Sequence, residues 1–232
     1  FLISHYLEGR IVLVARVRFA VPKGSLQKET FRLLEKAYYR IYGEDRNYRP
    51  LASDKEIEMK FLRPQEIPIA VGEGSFDIGI TGQDWIKETS ADVDLLFDLK
   101  YGAVKLVVAV PESVEARSVS QYFEDLWMSG KPVRISTEYL NLATRYIVGL
   151  KSYCRRFGEK EPLVITPWWT RGSNPLARVY LSFGATEAKP PEEADAVLDL
   201  VETGTTLQAN KLRVLDTILD SSAVFIANRQ SL

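Results

Sequence analysis

Apolar and polar positions along the chain follow two periods, one near two and one near 3.6. Residues 11–21 (IVLVARVRFAV) are a β-branched run that predicts a strand, and Pro22-Lys23-Gly24-Ser25 predicts a turn. Residues 26–42 place Leu26, Phe31, Leu33, Leu34, Ala37, Tyr38 and Ile41 at helical spacing. Residues 55–62 alternate as a half-buried strand does, Glu66 to Gly72 predicts a short helix, and Phe76 to Thr81 predicts a strand. Gly82-Gln83-Asp84 opens a further helix. Residues 104–110 (VKLVVAV) predict a buried strand closed by Pro111, followed by a helix at 119–128, a strand at 132–136 and a long helix at 138–157. Strands are expected at 162–169 and 176–183 around a Gly172-Ser173-Asn174-Pro175 turn, then a strand at 195–201, a loop at 203–206, a helix at 207–219 and a last strand at 222–227.

Repeated strand–turn–helix units predict an α/β fold with mostly parallel sheets and helices on both faces. The units fall into two sets. The expected domains are 1–105 plus about 222–232, and 106–221. Two lobes with a cleft follow, with ligands at the carboxyl ends of the strands. No sequence repeat, low-complexity tract or long linker is visible.

Composition narrows the chemistry. Of 232 residues, 46% are apolar and 26% charged, as in ordinary globular proteins. The net charge of -1 supplies no global field for nucleic acid, so anionic ligands require local sites. One cysteine, Cys154, rules out an intrachain disulfide and fits a reducing, cytoplasmic setting. One histidine, His5, in an N-terminal extension over residues 1–15, excludes a multi-histidine metal site and argues against a Ser-His-Asp triad. Residues 11–21 are too short and too charged to span a bilayer, and no cleavage site follows them.

Four segments carry candidate chemistry. In Asp199-Leu200-Val201-Glu202-Thr203-Gly204-Thr205-Thr206-Leu207, a strand feeds a loop of glycine and threonines ahead of a helix. Such a loop can aim backbone N–H groups and hydroxyls at one phosphate, and glycine permits the left-handed backbone a cradle needs. Asp199 and Glu202 repel phosphate, so their place is beside ribose hydroxyls or a magnesium ion. A helix start capped by threonine is the plainer reading of the same residues. Lys23 in its turn, with Ser25 as cap, can meet a pyrophosphate or remain a surface lysine. Glycines stand on both sides of the Phe76–Thr81 strand, and the backbone at Gly79 and Gly82 could approach a ligand or mark tight packing; Asp77 stands where a dinucleotide fingerprint needs its third glycine. Thr137-Glu138-Tyr139-Leu140-Asn141, with Arg145 and Tyr146 beyond, is a helix start with a cation within reach.

Taken in order, these segments resemble the ATP phosphoribosyltransferase family. The resemblance is carried by residues 18–26 (RFAVPKGSL), 61–68 (FLRPQEIP), 77–84 (DIGITGQD), 106–111 (LVVAVP), Thr137-Glu138-Tyr139 with Asn141 and Arg145, and 194–207. It covers about residues 16–232, apart from one insertion at 152–180. The resemblance implies a two-lobed fold like type II periplasmic binding proteins. It implies magnesium-dependent transfer of a phosphoribosyl group from phosphoribosyl pyrophosphate to N1 of the adenine of ATP, releasing pyrophosphate, at the entry to histidine synthesis. Asp199, Glu202, Thr203, Gly204, Thr205, Thr206 and Leu207 would hold phosphoribosyl pyrophosphate, with Asp199 toward Mg2+. Lys23, Asp199 and Glu202 would be the catalytic groups, and Arg63, Thr81, Asp84 and Tyr139 would lie near ATP. A homo-oligomer is expected, with or without a regulatory subunit resembling histidyl-tRNA synthetase.

The sequence departs from the family pattern at several places. Pro190-Pro191-Glu192-Glu193 replaces a loop that usually carries glycine, Leu140 replaces a proline, and Ser25 stands where arginine is common. Trp168 and Trp169 in the insertion fit a partner surface or internal packing. The chain stops soon after Asn228, which reads as a short form or a truncated long form. A small-molecule binding module of the same fold, a different phosphoribosyltransferase and a non-catalytic subunit are the rival readings.

Overall fold

The computed structural model describes the backbone of residues 2–7, 10–43 and 47–231, and side chains from residue 16 onward. The side chain of His5 lies outside the described residues. The chain divides into two compact units, Phe1–Ala103 with Ser221–Leu232, and Val104–Asp220.

In the first unit, β1 (Leu2–Leu7) and β2 (Arg10–Ala15) form an antiparallel hairpin. The apolar run at 11–21 is therefore two strands, interrupted at Arg16, with β3 (Val17–Pro22) entering the main sheet. α1 (Gln27–Lys36) ends earlier than the expected 42, because Tyr38 takes a left-handed φ of 66° and Ile41 is drawn into β4 (Ile41–Tyr42). β5 (Leu51–Ala52), β6 (Ile57–Leu62), α2 (Ile67–Gly72), β7 (Ile78–Gly82), α3 (Gln83–Thr89) and β8 (Asp94–Asp98) follow.

The second unit runs β9 (Val104–Pro111), α4 (Val119–Met128), β10 (Val133–Thr137), α5 (Leu140–Gly149), α6 (Lys151–Phe157), β11 (Pro162–Ile165), β12 (Thr170–Arg171), β13 (Asn174–Leu181), β14 (Ala196–Val201), α7 (Thr205–Ala209) and β15 (Leu212–Ser221). The expected helix at 138–157 is broken where Leu150 turns extended after Gly149. The helix expected over 207–219 is overturned. Lys211 at φ 55° ends the short α7, and Leu212, Val214 and Ile218 then serve a strand beside β9. The chain returns to the first unit as β16 (Ala223–Ala227).

Each unit holds one seven-stranded sheet, ordered β4-β5-β6-β3-β7-β16-β8 and β12-β11-β13-β10-β14-β9-β15. The sheets are mixed. β3 runs parallel to β6 and β7, and β10 runs parallel to β13 and β14. β16 and β9 run antiparallel to β7 and β14. Central strands are buried on both faces, which is why their sequences are near-continuous apolar runs. Phe19 and Val21 pack with Met59, Phe61 and Ile80 on one face of the first sheet; Ala20 packs with Ile67, Val71 and Ile226 on the other.

The two units share a device that no sequence repeat announces. Near the start of β3, Arg18 donates its backbone N–H and Nε to one oxygen of Asp77, at 2.7 and 3.1 Å, and a terminal nitrogen to the other at 2.6 Å. Near the start of β10, Arg134 makes the same three bonds to Asp195, at 2.8, 3.2 and 2.9 Å. Each aspartate immediately precedes the neighbouring parallel strand, so the pair fixes that register. The Arg18 hydrogen bonds pull the Asp77 carboxyl down to about 2, against the upward push of burial. A depressed aspartate stabilises the fold above its unfolded value near 4, and this stabilisation is lost as pH falls through the folded value. Asp77→Asn is expected to cost about 1–2 kcal/mol at neutral pH, since Arg18 is partly solvated. In urea unfolding measured against pH, the gap from the parent closes between about pH 4 and pH 2.

Candidate functional site

β14 lies between β10 and β9, with Ala196, Val197 and Leu198 fully buried. Its carboxyl end opens into Glu202-Thr203-Gly204, and Gly204 takes φ 80°. That left-handed turn reverses the chain into α7. Leu207, 5% exposed, packs on Val107, Ala109, Val197 and Leu212 and pins the turn from below. Thr203, Thr205, Thr206 and Glu202 are left exposed, and the Thr203 and Thr205 hydroxyls stand 3.0 Å apart. With five residues α7 has little macrodipole, so attraction for an anion rests on the loop's N–H groups and hydroxyls.

Asp199 sits in the strand just below this loop. One carboxylate oxygen accepts from the Leu200 N–H at 2.7 Å. Burial pushes its pKa up to about 6; Glu187 and Glu138 add repulsion, while the Leu200 N–H and Thr186 pull the other way. Glu138 is held in place by the Gly184 N–H, which donates to its Oε1 at 3.0 Å. The sequence reading missed Glu187 and Thr186. They lie twelve and thirteen positions before Asp199, and no local pattern links them. At the adjacent end of β10, the buried Thr137 accepts the Tyr139 N–H at 2.8 Å, and Tyr139 is itself 2% exposed.

The first unit gathers its candidates at the carboxyl ends of three adjacent parallel strands. Lys23 follows β3, donates its N–H to the Leu62 carbonyl at 2.8 Å, and holds Nζ 4.5 Å from the Tyr48 ring centre. Arg63 follows β6 and is exposed, with its N–H on Glu66 Oε2 at 2.9 Å. Thr81, near the end of β7, donates its hydroxyl to the Pro64 carbonyl at 2.7 Å and is fully buried. Asp84 is turned inward: its Oδ1 accepts from Ser221 Oγ at 2.5 Å, and its N–H donates back at 3.0 Å. The two glycines within β7 sit in tight packing. A Cβ on Gly79 would fall 2.6 Å from Ile67, and one on Gly82 would fall 2.3 Å from Asp84 Oδ1.

Trp168 and Trp169 lie in the turn between β11 and β12, 72% and 45% exposed. Neither enters the core. Among the described residues no group of three or more His, Cys, Asp or Glu is arranged to hold a metal, and no helix is long and apolar enough to cross a membrane.

A family model described as HisG: ATP phosphoribosyltransferase matches residues 63–232. ATP phosphoribosyltransferase of Thermodesulfovibrio yellowstonii is 41% identical over 220 residues, covering 93% of this chain and 65% of the relative. The Chlorobium chlorochromatii protein of the same name is 39% identical over 220 residues, covering 93% of this chain and 64% of the relative. The chain thus spans just under two thirds of the length of these relatives. Among solved structures, the ATP phosphoribosyl transferase (HisG:HisZ) complex from Thermotoga maritima aligns with a TM-score of 0.67 at 24% identity, over 93% of this chain and 89% of that one. The periplasmic aliphatic sulphonate binding protein SsuA from Escherichia coli aligns at 0.50 and 16%, over 93% and 62%. Both likenesses show the fold, that of two-lobed type II periplasmic binding proteins.

Proposed function

The chain belongs to the ATP phosphoribosyltransferase family, and on that premise we propose that it transfers the phosphoribosyl group of phosphoribosyl pyrophosphate to N1 of the adenine of ATP, releasing pyrophosphate, as the first step of histidine synthesis. The observation that carries this reading is the β14–α7 turn. A left-handed glycine, three exposed threonines and a half-buried acid one strand-turn below form a cradle suited to a phosphorylated sugar.

In this reading the bond from the sugar's anomeric carbon to the pyrophosphate oxygen breaks as the bond to adenine N1 forms. The nitrogen lone pair is already nucleophilic, so no histidine, serine or cysteine base is required. The chain's task is to position two anionic substrates and stabilise separated charge. Thr203, Thr205, Thr206 and the N–H groups around Gly204 hold the 5-phosphate. Asp199 and Glu202 face the ribose, where negative charge favours the cationic carbon. Lys23 meets the departing pyrophosphate, and Arg63, Thr81, Asp84 and Tyr139 are assigned to the nucleotide side.

Mg2+ fits the donor set as a cation carried largely by substrate oxygens. Asp199 is a single carboxylate crowded by Glu138 and Glu187, and a cation relieves that repulsion. When bound, Mg2+ would neutralise pyrophosphate charge. We assign the protein to the cytoplasm, as a homo-oligomer. The HisG:HisZ assembly of the Thermotoga maritima neighbour supports a separate regulatory subunit resembling histidyl-tRNA synthetase.

Thr206→Ala tests the cradle. Titration calorimetry with phosphoribosyl pyrophosphate and Mg2+ should show affinity falling about tenfold, the loss of one hydroxyl bond to a charged group. The unfolding midpoint should be unchanged, because the side chain is exposed. Unaltered affinity would remove the loop from the site.

A further inference from the structure

β10 and β13 run side by side, with Arg134 opposite Arg178 and Ser136 opposite Tyr180. Strand alternation puts these four and Ser182 on one face, while Val133, Ile135, Ala177 and Val179 face the other and are fully buried. The first face is covered by segment 183–194, which contains one 3-10 turn, Thr186–Ala188, and no α-helix. Such a cover is too thin to fill the layer. A cavity of about 840 Å³ remains, lined by Arg178, Tyr180, Ser136, Ser182 and Lys189, with Phe183 at its edge. Ligand sites in proteins span roughly 300–1,000 Å³.

The charges in this cavity do not cancel. Arg134 is committed to Asp195 and to the carbonyls of Glu192 and Pro191. Lys189 pairs with Glu193 at 2.7 Å. Arg178 donates Nε to the Pro175 carbonyl at 2.8 Å, and no carboxylate within salt-bridge distance is found for it among the described residues. One positive charge is left over, with three hydroxyls on the same face. Phe183, 66% exposed, lines the same cavity five positions beyond Arg178, and its ring centre stands 6.2 Å from that of Trp168. An exposed aromatic side chain in the same cavity as an uncompensated cation suits a flat ring that carries an acid group.

We propose that this cavity is a second ligand site, separate from the Asp199–Leu207 loop, for a small aryl anion. Its carboxylate or phosphate lies on Arg178 with the hydroxyls of Ser136 and Tyr180, and its ring points along β13 toward Phe183. The inference does not depend on the catalytic reading.

Calorimetric titration of the chain with phenyl phosphate, benzoate and inorganic phosphate tests it. The two aryl anions should bind saturably at one site, and inorganic phosphate about tenfold more weakly for want of the ring. Arg178→Gln should weaken aryl-anion binding by about tenfold or more, Arg178→Lys should retain it within a few fold, and Thr206→Ala should leave it unchanged. Three results would overturn the proposal: no aryl-anion binding, full binding by a folded Arg178→Gln chain, or binding lost in Thr206→Ala, which would place the anion on the loop. Inorganic phosphate binding as tightly as phenyl phosphate would remove the aromatic rim from the site.

Discussion

Asp199→Asn is expected to slow phosphoribosyl transfer by about 10²–10³-fold, the usual cost of removing one preorganised electrostatic group. Asparagine matches aspartate in shape and can still accept the Leu200 N–H at the position now 2.7 Å away. What it loses is charge beside the sugar, where a cationic carbon develops. The folded chain should be no less stable. Burial and the repulsion of Glu138 and Glu187 make the charged form of Asp199 unfavourable in the native state, so a neutral replacement relieves a cost. Steady-state kinetics and a urea midpoint measured together separate the two effects. Unchanged turnover would place the carboxyl outside the reacting region, and a lowered midpoint would mean that Asp199 is structural.

Trp127→Ala is expected to destabilise the second unit by about 3–5 kcal/mol. Trp127 is 1% exposed and is ringed by Phe123, Tyr153 and Phe157, with centroid distances of 6.0, 5.8 and 5.0 Å. Its indole N–H donates to the Leu176 carbonyl at 2.9 Å, tying α4 to β13. Alanine removes the ring contacts, leaves a cavity and strands a carbonyl. Domains are commonly stable by only about 5–15 kcal/mol, so much of the margin would go. Trp127→Phe, which keeps a ring but not the N–H, should fall between the two. A midpoint in urea within error of the parent would show that the aromatic cluster contributes little.

The β14 loop was legible because two local signals coincide there: a buried apolar run and a glycine among small hydroxyl residues. The stretch after it was misread. Residues 207–219 hold leucines at spacings compatible with a helix, and only the left-handed Lys211 and the free edge of β9 settle it as a strand. The break at Leu150 was hidden for a similar reason, since both halves keep helical spacing and the kink rests on one extended residue. The Arg18–Asp77 and Arg134–Asp195 pairs join residues 59 and 61 positions apart, so no window along the chain reveals them. The cavity over β10 and β13 was equally invisible, because it follows from what the covering segment fails to fill. Asp84 and Tyr139, which the family resemblance places near ATP, are each 2% exposed.

The most direct test of the central claim is to mix the purified chain with ATP, phosphoribosyl pyrophosphate and Mg2+, with pyrophosphatase to draw the reaction forward, and to follow product by mass and ultraviolet absorbance. N1-(5-phosphoribosyl)-ATP is the expected product, formed at a rate that collapses in Asp199→Asn. A chain that forms no such product and does not bind phosphoribosyl pyrophosphate would contradict the claim.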